Sequence, residues 1–503
     1  MDSGISKPEL VVGLVGAVGT DLTAVSKAVT EVLAPYGYRT ERIKISGLMP
    51  AVPGGAFLTD LIPEDDRITR YMDAGDRIRD QSRRNDAMAA LAVGQITDYR
   101  EEHSDEQEAI ANTAYVLDSL KHPKEAESLR RVYRDRFTLI SVHSPTEDRR
   151  HALRRKIASS HGSPEHPERF ADIAATIMDR DEHDDDHGFG QNVSEAFVSG
   201  DVYVSTHPDS GLKDQVARYF KLFFGFPFST PTKDEYAMFQ AHTAALRSAD
   251  LSRQVGAAVS TVEGEIVAVG CNEVPKAGGG QYWPEDESDE RDFCLGYDSN
   301  VKYRNDALRQ AFERLASSAT LVAETDEQRF FKALEGSRLT NLTEFGRPVH
   351  AEMAALLDAA RRGAPVAGKI LFATTFPCHN CARHIIGAGI AEVVYREPYE
   401  KSLAAELHRD SIVVDPTTDP DGRVVFRRFV GIGPPRYLGL FAMRKRKDAQ
   451  GNKVDWSEGE AIPRLVSSST AYLSVEEEFL AEFKKALAIH PIDLGEGAKD
   501  GTT

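Results

Sequence analysis

The sequence predicts an α/β protein built in two parts, a parallel-sheet domain over residues 1–228 and a mixed α/β domain over residues 229–503. Three observations carry that expectation. The chain opens as strand, glycine turn, helix and second strand. A turn-rich stretch, Gly225-Phe226-Pro227-Phe228-Ser229-Thr230-Pro231, interrupts it near its middle. Beyond the break lie a histidine, a glutamate and a cysteine pair at spacings that suit a metal centre. At 503 residues the chain is also longer than one ordinary core accommodates.

The elements follow in order. Leu10-Val11-Val12-Gly13-Leu14-Val15 is a short apolar run suited to a buried strand. Gly16-Ala17-Val18-Gly19-Thr20-Asp21 breaks it, and Leu22, Val25, Val29 and Leu33 then recur at helical spacing. Arg39 to Ile45 supplies the next strand and completes the opening of a βαβ unit. Phe137 to Val142 and Val202 to Val204 are further strand-like runs, with charged helical stretches between them. This alternation predicts the parallel sheet. After the break a helix starts near Thr232 and runs through Met238, Ala241 and Ala245. Gln254–Thr261 and Glu265–Cys271, with Gly264 between them, predict a hairpin. Residues 275–299, with Gly278-Gly279-Gly280 near their start, read as a loop insertion. A helix follows Pro348, Ile370 to Thr374 is a strand, and Pro377 is placed to open another helix.

Composition narrows the function. Hydrophobic residues make up 41% and charged residues 28%, an ordinary globular mixture. No run of eighteen apolar residues exists to span a membrane, and Met1-Asp2-Ser3-Gly4 does not open a secretory signal. Four cysteines make no disulfide framework, so a reducing cytoplasm is expected. The net charge is −18, with −10 of it in residues 1–228 and −8 beyond. Nucleic-acid binding is driven by neutralising phosphates and normally leaves a basic field. A free nucleotide needs only one local positive cluster, so the balance favours a small substrate.

His350-Ala351-Glu352 and Pro377-Cys378-His379-Asn380-Cys381 form the sharpest signal. One histidine and two cysteines supply three zinc ligands and leave a fourth position open for water, as a catalytic site requires. The metal lowers the pKa of bound water towards neutrality. The pattern H-x-E…P-C-x-x-C resembles that of zinc nucleobase deaminases. That resemblance implies for Glu352 the proton shuttle, from water to pyrimidine N3 and on to the leaving ammonia. A closed structural zinc knuckle is the alternative, and it would need a fourth ligand from His379, His384, Cys271 or Cys294. Cys294 by itself reads as a free buried thiol in preference to a second metal ligand.

Ser252-Arg253-Gln254-Val255-Gly256-Ala257-Ala258, Gly270-Cys271-Asn272-Glu273-Val274-Pro275 and the metal motifs resemble, in order and spacing, the deoxycytidylate deaminase family over roughly residues 232–430. Val393-Val394-Tyr395 and Tyr399 continue the pattern. The resemblance implies a cytidine-deaminase-like α/β/α domain that hydrolyses the C–N bond of a deoxycytidine nucleotide. It places Asn272 on the deoxyribose and base and Arg253 near the phosphate; the alternative for Arg253 is a surface ion pair. Glu273 stands where simpler members have glycine. The whole chain is similar to the bacterial anti-phage dCTP deaminases, in which a P-loop-kinase-like domain precedes the deaminase. Met178-Asp179-Arg180-Asp181-Glu182, Gly190-Gln191-Asn192-Val193 and Asp201-Val202-Tyr203-Val204 carry that likeness. It implies conversion of dCTP or dCMP to the uracil form in antiviral defence, a homo-oligomer, and in some members an inhibitory small RNA.

The N-terminal turn departs from a P-loop, which needs G-x-x-x-x-G-K-[ST]. Gly19 holds the second glycine position, but Thr20 stands in place of lysine and Asp21 in place of Ser or Thr. Phosphoryl transfer loses its main protein partner without that lysine. Gly16, Gly19, Thr20 and Asp21 are therefore expected to hold a regulatory nucleotide in a degenerate domain, the alternative being a turn with no ligand. Two other functions stay open on the sequence: a deaminase acting on RNA or DNA bases, and a zinc-stabilised RNA-binding scaffold without turnover.

Overall fold

The computed structural model describes residues 6–59, 63–104, 108–183, 188–318, 320–321, 326–399, 401–416, 420–443 and 445–494. Strand β1, Leu10–Val15, is buried along its whole length, as a central parallel strand of branched apolar residues should be. Its parallel neighbours are β3, Thr113–Leu120, and β4, Phe137–His143. Outside them β2, Arg39–Lys44, pairs parallel with β3, and β5, Val202–Ser205, pairs parallel with β4. The order is thus β2-β3-β1-β4-β5. Alternate β1 side chains enter opposite cores. Val11 and Val15 pack with residues of the helices Ala87–His103 and Pro123–Tyr133, whereas Leu10, Val12 and Leu14 pack with those of Leu22–Leu33 and Leu212–Phe223.

One strand differs from expectation. The span between Ile45 and Phe137 reads as charged and helical, yet β3 lies within it and separates β1 from β2. Asp118 and Ser119 hide the strand by breaking the apolar run. In the fold Asp118 is 8% exposed and pairs with Arg42 of the neighbouring β2.

The second compact unit is Thr232–Phe429. Strands β6, Gly256–Ser260, and β7, Ile266–Cys271, form the expected antiparallel hairpin, with Gly264 at φ +96° in its turn. Strand β8, Ile370–Thr375, lies antiparallel to β6. Strands β9, Glu392–Glu397, β10, Ile412–Val414, and β11, Val424–Arg428, complete the sheet in parallel, giving the order β7-β6-β8-β9-β11-β10. Two glycines let helices lie flat on the hairpin. A Cβ on Gly256 would sit 1.9 Å from the Ala241 carbonyl oxygen, and one on Gly270 would sit 2.4 Å from that of Ala351. The second approach sets the start of the helix Ala351–Arg361 directly over β7.

The expected second domain of residues 229–503 is too long. The first unit is Met1–Pro231 together with Val430–Thr503. Strand β12, Gly431–Ile432, pairs antiparallel with β5, and Arg436 donates to the Phe137 carbonyl oxygen. Farther on, the helix Tyr472–Ile489 places Glu476 on Arg100 (2.8 Å) and the Tyr472 hydroxyl on Glu9 (2.6 Å). These polar contacts join residues more than 370 positions apart, which no local pattern records. No helix of the described residues is long and apolar enough to cross a membrane.

Candidate active site

Both halves of the metal motif stand at helix starts in the second unit. His350 is the N-cap of Ala351–Arg361, and Val349 before it exchanges backbone hydrogen bonds with Glu273, just beyond β7. Cys378 is the N-cap of the helix His379–Gly387. That helix therefore begins two residues after the expected Pro377. The shift explains the convergence of the cysteines: an N-cap side chain and the side chain at the third helical position, here Cys381, turn towards each other. Sulfur at a helix N-terminus also meets the partial positive charge that favours thiolate.

His350 Nδ1 lies 3.3 Å from Cys378 Sγ and 3.5 Å from Cys381 Sγ. Ligands arranged tetrahedrally at zinc–nitrogen and zinc–sulfur lengths would be separated by about 3.6 Å. The three side chains thus fit a single metal ion, and their donor atoms all lie within 4.8 Å of one another. None of His379, His384, Cys271 and Cys294 joins them among the described residues, so the fourth protein ligand of a closed knuckle is missing from the cluster. Cys294 is exposed, not buried as expected, because its short helix Asp292–Leu295 lies in the 275–299 insertion.

Electrostatics matches the donor set. Hydrogen bonds from Cys381 and then His350 outweigh burial and hold the Cys378 thiol at about 4. The hydrogen bond to Cys378 raises His350 to about 9 against the effect of burial. Glu352 is 4% exposed, and its carboxyl is raised by burial first and by the Cys378 charge second. A carboxyl displaced in that direction, at the edge of a metal-capable cluster, is the type of group that serves as a general acid and base.

Asn272 is 7% exposed, and its amide is engaged by the chain itself. Oδ1 accepts from the Val255 N–H at 2.7 Å, and Nδ2 donates to the Arg253 carbonyl oxygen at 2.8 Å. Asn272 thereby holds the loop that carries Arg253. The exposed Arg253 guanidinium lies 5.0 Å from the centre of the Tyr399 ring, so its side-chain partner among the described residues is an aromatic face. The Tyr399 hydroxyl is pushed up by burial, pulled down by Arg253 and pushed up by Cys378. Sequence reasoning assigned no role to Tyr399, Ser248 or Glu273. Ser248 Oγ donates to the Asn272 carbonyl oxygen (2.6 Å), and Glu273 accepts from the Ala249 N–H (2.9 Å). The residue type at position 273, where glycine was expected, was the available signal. A separate cavity of roughly 610 Å³ in this unit is lined by Arg247, Cys271, Trp283, Leu357 and Arg361, and by none of the four motif residues.

The other predicted residues belong to the first unit. Gly16 follows β1; Gly19 has φ +87°, and a Cβ there would meet the Arg149 carbonyl oxygen at 2.8 Å. The Thr20 N–H donates to the Ala17 carbonyl oxygen, and Asp21 caps the helix Leu22–Leu33 by accepting from the Ala24 N–H. The same residues thus build a tight strand-to-helix turn.

Compared with known proteins, residues 231–397 match the family described as the cytidine and deoxycytidylate deaminase zinc-binding region. ComE operon protein 2 of Bacillus subtilis (strain 168) is 30% identical over 131 residues, 24% of this chain and 68% of that protein. Deoxycytidylate deaminase of Enterobacteria phage T2 is 43% identical over 54 residues, 11% of this chain and 29% of the phage enzyme's length. Among solved structures, dCMP deaminase from the cyanophage S-TIM5 matches at 18% identity and a TM-score of 0.22, over 40% of this chain and 100% of that one.

Proposed function

Because the chain belongs, through residues 231–397, to the cytidine and deoxycytidylate deaminase family, we propose that it hydrolyses a free deoxycytidine nucleotide, dCTP or dCMP, to the uracil form and ammonia. One observation carries the reading: the buried Glu352 carboxylate lies against a His350, Cys378 and Cys381 cluster sized for one zinc ion. Zinc held by those three residues would supply an activated water. Glu352, whose carboxyl is raised by burial and by the Cys378 charge, moves the proton to N3 and then to the departing amine. Asn272 orders the loop at Arg253, and Arg253 with Tyr399 receives the sugar-phosphate end. The net charge of −18 supports a free nucleotide over a polynucleotide.

The same reading extends to the first unit. Five parallel strands in the order β2-β3-β1-β4-β5, with a glycine turn after β1, support a kinase-like nucleotide fold. Thr20 in the lysine position supports control of the deaminase and not phosphoryl transfer. In that role the protein would drain the deoxycytidine pool during phage replication. The test is incubation of pure zinc-loaded protein with dCTP, dCMP, dCDP, CTP, deoxycytidine and a single-stranded oligonucleotide, separating products by chromatography. Uracil nucleotides from dCTP or dCMP are the expected products. Uracil in the oligonucleotide with none in the free nucleotides would overturn the reading.

A further inference from the structure

The turn after β1 already holds an anion, and the anion belongs to the chain. Asp181 lies on the helix Ala171–His183, 163 residues from Val18, and its side chain is 0% exposed. Its Oδ2 accepts from the Val18 N–H at 2.6 Å, and its Oδ1 accepts from Lys121 Nζ at 2.8 Å. Lys121 follows β3 and also donates to the Gly16 carbonyl oxygen at 3.3 Å. One carboxylate therefore bridges a turn amide and an ammonium group. Those are the two partners a phosphoryl oxygen takes in a glycine turn between a strand and a helix. The turn has no lysine of its own, and Lys121 fills that place from a different strand.

We propose that Asp181 is a resident anion that closes this turn, and that the turn becomes a polyphosphate site, with Lys121 as its cation, only when Asp181 is withdrawn. The location supports the ligand class. In an open parallel sheet, ligands bind beyond the carboxyl ends of the strands where the order reverses, and β1, flanked by β3 and β4, is that place here. A buried carboxylate is stable only while paired, so Asp181 and Lys121 hold each other while no other anion competes. The element bearing Asp181 is set apart from the main cores. Ala174, Ile177 and Met178 pack with Met72, Leu153 and Ile157 in a small satellite cluster, distinct from the two that cover the sheet. Withdrawal of this helix would free the Val18 amide and Lys121 together. Thr20 Oγ1, buried in the turn with no hydrogen-bond partner, is a further polar group left for a ligand to meet.

This inference is independent of the deaminase reading, and its test does not use deamination. Full-length protein is titrated calorimetrically with inorganic tripolyphosphate in four forms: wild type, Asp181→Ala, Asp181→Asn and Asp181→Ala with Lys121→Met. Thermal melting checks that each is folded, and Asp181→Asn, of equal size, serves if the alanine variant does not fold. Removing the carboxylate should tighten binding at least tenfold over wild type, and adding Lys121→Met should abolish the gain. Equal affinity in wild type and the Asp181 variants would show the turn to be open and overturn the resident-anion role. A gain that survives loss of Lys121, or no detectable tripolyphosphate binding to any folded Asp181 variant, would overturn the site.

Discussion

Cys381 directs its thiol at Glu352: Sγ lies 3.4 Å from Oε2, and both groups are buried. The carboxylate is therefore held at the rim of the metal-capable cluster without being one of the three gathered donors. Replacing it should spare the metal and remove the proton transfer. Glu352→Gln is expected to retain one zinc per chain and to lose about 10²- to 10⁴-fold in turnover. Elemental analysis alongside ammonia release checks this, and near-normal ammonia release from zinc-loaded variant would refute the role.

Cys378 and His350 stand 3.3 Å apart as N-caps of different helices, so a metal between them ties the two helix starts together. Cys378→Ala, Cys381→Ala and His350→Ala should each lose bound zinc. Each should also show a lower melting temperature that added zinc no longer raises, because metal binding and folding are linked. A Cys378→Ala protein that keeps one zinc and full activity would refute this ligand set.

Asn272 and Arg253 should separate in their effects. Asn272→Ala removes two hydrogen bonds in a buried position, and the unpaired Val255 amide should cost about 1–3 kcal/mol of stability. Arg253→Ala removes an exposed side chain and should leave melting nearly unchanged while raising KM for dCMP or dCTP. Steady-state kinetics beside calorimetry distinguishes them. Unchanged KM in Arg253→Ala would remove this residue from the substrate site.

A pH dependence is built into the first unit. His122 is 7% exposed, and its Nδ1 accepts from the Lys124 N–H at 3.1 Å as the cap of the helix Pro123–Tyr133. Burial first, and Arg79 and Lys124 after it, lower its pKa to about 4 from the ordinary 6.5. The unfolded chain thus takes up this proton first as pH falls. The contribution is complete above 6.5 and is lost between 6.5 and 4, amounting to about 2 kcal/mol by pH 5. His122→Asn keeps an acceptor at the cap without titrating there. Guanidinium unfolding at pH 8 and pH 5 should show the wild type losing more stability than the variant. Parallel losses would refute the linkage.

The cysteine pair was legible from its spacing, because residues three positions apart at a helix start turn towards each other, whereas His350, 28 residues before Cys378, was legible only from its match to the deaminase pattern. The strands β1, β2, β4 and β5 were legible for a related reason, since their apolar or alternating runs are local. β3 was not, because Asp118 breaks its pattern and is satisfied only by Arg42 across the sheet. The place of Asn272 in the fold was equally hidden: its partners, Val255 and Arg253, lie 17 and 19 residues away and meet it only once the hairpin closes.

By itself, then, the sequence determined an α/β chain with a strand, glycine turn and helix at its start, and the residue types at His350, Glu352, Cys378 and Cys381 that meet in the candidate site. Those properties rest on residue type and on local pattern; the meeting of His350 with cysteines 28 and 31 residues away belongs to the fold. Tertiary structure alone decided that Val430 onward returns to the first unit, that Asp181 fills the turn at Val18, and that Arg253 rests on Tyr399. Each depends on side chains distant in sequence satisfying one another's charge or hydrogen bonds after burial, where an unpaired polar group would be costly.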